Sequence, residues 1–87
     1  MIEVRFSDRF RRSAKSLPQS VLKKLARLII LLVDNPYDPR LHTKPLTGPL
    51  SGFNSFRITR DWRVIFQFED PQTVILITVG HRKDIYR

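Results

Sequence analysis

Ile2, Val4 and Phe6 alternate with Glu3, Arg5 and Ser7, the two-residue period of a strand with one buried face. The period then changes. Phe10, Ala14 and Leu17 recur at helical spacing, Arg9, Arg11, Arg12 and Lys15 fill the other sides, and Ser7 or Asp8 stands where a cap is needed. Pro18 ends this helix, because the residue before a proline avoids the α region, and it can open the next helix at the first position. The second helix runs to about Asp34. Val21, Leu22, Leu25, Ala26, Leu28, Ile29 and Leu32 form its core stripe, with Lys23, Lys24 and Arg27 outside. Between Leu28 and Val33 it is apolar nearly all round, so either the domain wraps these turns or a partner covers the surplus.

Asn35 and Pro36 close the helix, and the stretch up to Ser55 reads as a loop. It holds four of the six prolines, together with Gly48 and Gly52, and shows no period. Loops this long are uncommon inside compact domains and are often functional, a plain connector being the alternative. From Phe56 the period of two returns. Phe56 and Ile58 alternate with Arg57 and Thr59, and a turn falls at Arg60 and Asp61. Trp62, Val64, Phe66 and Phe68 then alternate with Arg63, Ile65 and Gln67. Glu69 to Gln72 is a turn signal, and Thr73 to Val79 is apolar on both faces, which suits a central strand. The order β-α-α-β-β-β predicts an α+β domain, two N-terminal helices packing on one face of a small, mostly antiparallel sheet.

Length and composition narrow the picture. Eighty-seven residues make one domain, 1–87, near the lower size at which a single core is stable alone. Cysteine is absent, so there is neither a disulfide nor a thiolate zinc site, and two histidines are too few for a structural metal unless carboxylates join them. The start shows no apolar signal segment, and no stretch approaches a membrane span, which makes a soluble cytoplasmic protein without a membrane partner the default. Charge is more informative. Sixteen basic residues, eleven of them arginine, face eight acidic ones for a net +8, an excess that predicts attraction to a polyanion such as RNA.

Strand alternation places the arginines. If Phe56, Ile58, Trp62, Val64 and Phe66 face the helices, Arg57 and Arg63 face away, and so does Arg5 if Ile2, Val4 and Phe6 point in. His81, Arg82 and Tyr86 leave the end of the central strand and can fold over that cationic face or its rim. Such a set suits RNA cleavage by attack of a ribose 2′-OH on the adjacent phosphorus, which leaves a 2′,3′-cyclic phosphate and a 5′-OH and needs no metal. A histidine can move either proton. Arginines fixed on a sheet stabilise the phosphorane's extra charge. A tyrosine, with an ordinary pKa of about 10, is a base only where guanidiniums lower that value; otherwise it stacks on a nucleobase. Singly, each residue has an ordinary reading: Arg5 as a solvated strand residue, Arg57 and Arg63 as cross-strand ion-pair partners, His81 as a surface histidine, Tyr86 as packing. Their coincidence carries the case.

The stretches KPLTGPLSG, FRITRDWRVIFQF and VGHRKDIYR, set in a basic β-α-α-β-β-β chain, resemble the RelE/ParE toxin superfamily, and most closely the RelE-type messenger RNA interferases. The likeness spans essentially the whole chain. It implies a toxin of a toxin–antitoxin operon that enters the 30S A site of the ribosome, against 16S rRNA, and cuts the messenger there with no metal and no cofactor. It also implies a cognate antitoxin that silences it in a hetero-complex. By matching motif, Arg63 and Arg82 would stabilise the phosphorane, Tyr86 would stack on or activate the nucleotide, and Arg57 would hold RNA. Thr59 stands where some RelE-type toxins carry a second lysine, so the proton acceptor shifts to His81, or to His42 or Lys44 from the loop. Two other readings stay open: a ParE-like toxin that binds DNA gyrase without catalysis, and a nucleic-acid-binding module with no toxicity.

Overall fold

The computed structural model describes residues 1–86. Strand β1 (Glu3–Phe6) leads into helix α1 (Asp8–Ala14) and helix α2 (Gln19–Asp34). Then come β2 (Lys44–Pro45), β3 (Asn54–Arg57), β4 (Trp62–Asp70), β5 (Thr73–His81) and the short helix α3 (Arg82–Ile85). The sheet order is β1-β5-β4-β3-β2, with β1 parallel to β5 and every other pair antiparallel. The α+β architecture follows the hydrophobic pattern, with two additions the pattern does not show. The proline-rich stretch contributes a two-residue edge strand, and the tail coils into a single helical turn.

The core lies between the helices and one sheet face. Leu32 from α2 meets Phe56, Val64, Phe66, Val74 and Leu76 from three strands, all fully buried. In β5 the pairing steps from Ile65↔Thr78 to Phe66↔Leu76, leaving Ile77 as an extra residue. This bulge keeps Val74, Leu76 and Val79 on the core side, although simple alternation from Leu76 would have turned Val79 away.

Helix α1 guards an exposed edge. β1 pairs only with the first half of β5, so the second half would present open backbone groups. Ser7 caps α1 by accepting from Phe10 N at 3.0 Å and donates its hydroxyl to Ile77 O at 2.8 Å. Ser13 accepts from Val79 N at 3.1 Å. The helix ends at Ala14, short of the expected Leu17, and the chain reaches Pro18 through tighter turns in which Lys15, Ser16 and Leu17 N–H groups bond three residues back. Pro18 stands at the cap position and Gln19 opens α2.

Helix α2 buries Val21, Leu25, Leu28 and Leu32, but not the whole expected stripe. Leu22 is 45% exposed and Ile30 69% exposed, so the domain wraps only part of the apolar turns. Phe6, expected inside, is 37% exposed at the sheet edge, where it packs against Phe10.

The long loop is an ordered segment. Leu41, in a 3₁₀ turn spanning Pro39–Leu41, is fully buried in the core. Thr43 donates its hydroxyl to Pro36 O at 2.6 Å, and Asp38 accepts from Arg40 N at 2.9 Å. The Arg40 guanidinium donates to both Asp38 oxygens, at 3.0 and 2.8 Å, and these bonds lower the Asp38 carboxyl to about 2. A carboxylate whose pKa is depressed on folding adds stability above its unfolded value, and that stability is lost as pH falls. We expect acid unfolding to show a step between about pH 4 and pH 2 that is reduced in Asp38→Asn, read by circular dichroism against pH. Identical acid limbs in the two proteins would show that the pair adds nothing to folding.

Candidate active site

Register fixes the cationic face. Arg57 pairs with Arg63 across β3 and β4, and Arg63 pairs with Gly80 across β4 and β5, so all three lie on the face away from α1 and α2. Arg63 is half-buried there. Its Nη2 donates to Arg60 O at 3.0 Å, while its Nε is buried without a partner.

The tail folds over this face. Arg82 N donates to Asp61 O at 2.7 Å, and its Nε lies 3.2 Å from Asp61 Oδ1, which pins α3 to the β3–β4 turn. Ile85 is buried, and its Cβ would lie 3.9 Å from a Cβ built at Gly80. The turn thereby delivers Tyr86 to Lys44. These two residues line a cavity of about 260 Å³ with Leu46, Thr47, Pro49 and Leu50. The Tyr86 hydroxyl, like Arg63 Nε, is buried and unpartnered. Among the described residues these two are the buried side-chain polar atoms without a hydrogen bond. Such atoms cost about 1–3 kcal/mol each and are rare in native proteins.

Other candidates fall elsewhere. Arg5 is on the expected face, but Glu3 and Glu69 hold it at 3.0 and 3.5 Å, well along the sheet from Arg63. His81 pairs with Trp62 and meets its ring edge-on at 5.4 Å, which by alternation is the opposite side of the strand from Gly80 and Arg63. Its Nδ1 accepts from Lys83 N at 3.1 Å as the cap of α3, so in the neutral ring the proton sits on Nε2. His42 and Arg57 line a second cavity of about 160 Å³ with Lys24, Arg40, Ile58, Thr59 and Arg60. Arg87, the last cation of the tail, lies outside the described residues.

Thus the structure groups Lys44 with Tyr86, Arg57 with Arg63 and His42 with Arg57, and it separates His81 and Arg5 from them. Sequence reasoning missed Lys24, Arg60 and the tie from Asp61 to Arg82. Only the last had a visible signal, an acid in the turn facing a basic tail.

A sheet with two helices on one face and a cationic, tail-covered opposite face makes a small two-layer α+β domain, and comparison with known proteins shows its family. Residues 4–86 match the family described as ParE toxin of type II toxin–antitoxin system, parDE. Toxin RelG of Mycobacterium tuberculosis is 34% identical over 86 residues, covering 97% of this chain and 94% of that protein. A chain of the M. tuberculosis toxin–antitoxin complex RelBE2 superposes with a TM-score of 0.78 at 30% identity, covering 93% of this chain and 98% of that one. YafQ from E. coli strain BL21(DE3) shares the fold, with a TM-score of 0.82 at 19% identity and full coverage of both chains. The chain belongs to the RelE/ParE family of type II toxins.

Proposed function

We propose that this toxin is a ribosome-dependent endoribonuclease that cuts messenger RNA in the 30S A site, against 16S rRNA. The observation that carries the reading is the pair of orphaned buried groups, Arg63 Nε and Tyr86 Oη, on a face that also presents Arg57 and Lys44. Such groups are rare and call for an explanation, and a catalytic role is the one that this cationic face supports. In the proposed reaction a base removes the ribose 2′ proton, O2′ bonds to phosphorus, the P–O5′ bond breaks, and O5′ takes a proton to leave as a hydroxyl. Arg63 and Arg57 hold the phosphorane's charge, with Arg82 at the rim. Of the four groups open as proton acceptor, Lys44 and Tyr86 share one cavity, His42 sits in the second, and His81 faces away. We therefore assign proton removal to the Lys44–Tyr86 cavity, where the tyrosine ring can also stack on the base. Neither a metal nor a cofactor enters this scheme.

The exposed Leu22 and Ile30 and the net charge of +8 fit an acidic, amphipathic antitoxin segment, which we propose as the silencing partner. The RelBE2 relative was crystallised as a toxin–antitoxin complex.

Primer extension on a messenger translated in a purified system is expected to show codon-phased cuts that require ribosomes and vanish in Tyr86→Ala. An intact messenger with continuing translation would overturn the nuclease. The matched ParE description favours one other reading, a non-catalytic inhibitor of DNA gyrase. Loss of supercoiling with translation unaffected would establish that reading instead.

A further inference from the structure

The second cavity has a composition of its own. Lys24 reaches it from α2, Arg40 and His42 from the loop, and Arg57 and Arg60 from the end of β3 and its turn, over the buried Ile58. Among the described residues, Lys24, Arg57 and Arg60 belong to no ion pair. Of the neighbouring carboxylates, Asp38 is engaged by Arg40 and Asp61 by Arg82, while Asp34 acts on Arg40 through space. Three cations without an ion pair thus line one small concavity, beside an Arg40 held in place by its own partner.

The backbone adds a second observation. His42 has φ 52° and ψ 43°, and it is the non-glycine residue with positive φ among those described. Glycine or asparagine takes that conformation at lower cost. His42 takes it as the C-cap that ends the Pro39–Leu41 turn, and the imidazole thereby stands among the residues lining the cavity.

We propose that this cavity binds a backbone phosphate of the RNA substrate, one or two nucleotides from the scissile phosphate; the inference rests on the nuclease reading above. RNA is favoured over an isolated anion because two connections link the cavity to the candidate active site. Arg57 lines it and also pairs with Arg63 across the strands. His42 lines it and stands two residues before Lys44 of the first cavity, at most about 7 Å along the chain. A polymer with a charge on every unit can fill both cavities at once, and guanidinium forks suit phosphate. Lys24 and Arg60 then hold the strand and set its register, while Arg63 acts on the phosphorus.

NMR of the whole protein tests this without ribosomes or cleavage. Inorganic phosphate is titrated first, then a 2′-O-methyl trinucleotide, which lacks the attacking hydroxyl. Saturable movement of the His42 ring and Arg60 Nε–H signals is expected with both. The Lys24→Ala/Arg60→Ala double variant should lose the movement and weaken trinucleotide binding about tenfold. Removing one phosphate contact should also lower the slope of log K against log salt by about 0.7. Both side chains are exposed, so the variant should keep the wild-type melting temperature. Wild-type affinity and slope in the variant would overturn the proposal. So would equal movement with acetate, which would mark a site for acidic protein side chains instead. Phosphate binding here in a protein that leaves messengers intact would sink the nuclease and keep the site; cleavage without it would do the reverse.

Discussion

Arg63→Ala is expected to lower messenger cleavage by about 10²–10³-fold, the usual loss when one preorganised donor to a developing charge is removed. The same change should leave the melting temperature unchanged or raise it. The folded protein carries the cost of an unpartnered, buried Nε, and the substitution removes that cost while giving up one bond, from Nη2 to Arg60 O. Loss of activity combined with retained stability is what distinguishes a residue kept for substrate from one kept for folding. Arg63→Lys should not restore the rate, because a point charge replaces a fork able to hold two phosphoryl oxygens. Primer extension and thermal melting on the same preparations decide it. A melting temperature that falls along with activity would make Arg63 a structural residue.

How far this could be read from the sequence depends on how local each determinant is. The face shared by Arg57 and Arg63 follows from alternation alone, and the register confirms it. Alternation also puts Arg5 on that face, yet Glu3, two residues away on the same side, and Glu69 neutralise it. Half of that answer was visible as E-V-R; the other half required knowing that β1 lies beside β5. The parity of His81 was harder. Counted from Leu76 it is wrong, because the bulge at Ile77 resets the alternation, and only pairing with Trp62 shows which way the ring points. β2 and α3 span two and four residues, too few for any period to show, and both owe their form to tertiary partners. Lys24 is the extreme case. Its helical position marks it as a solvated cation, and nothing within α2 reveals that the β3 turn brings Arg60 to the same cavity.

The loop before β2 poses the complementary question, whether the site rests on a stable part of the fold, and Leu41→Ala answers it. Leu41 is fully buried, so truncation should cost about 2–5 kcal/mol, transfer and cavity terms together. Against a total of about 5–15 kcal/mol for a domain, that is a large fraction. For a chain of this size each kcal/mol lowers the melting temperature by about 4–8 °C. The damage should also reach the site before global unfolding. Leu41 lies between Arg40 and His42, and it anchors the segment that carries Lys44 into β2. Below the new midpoint the variant should therefore bind phosphate weakly, with faster amide exchange from Asp38 to Lys44 than in β4 and β5. Leu50→Ala, at the rim of the first cavity and only partly buried, should cost far less. Equal melting temperatures for the two variants would mean that the loop is not fastened at Leu41. A cold Leu41→Ala protein that still bound phosphate with wild-type affinity would mean that the strands alone hold the second cavity. The expected pattern, local loosening with a large stability loss, would show that one apolar side chain in an apparently featureless loop holds both cavities in register with the arginines of the sheet.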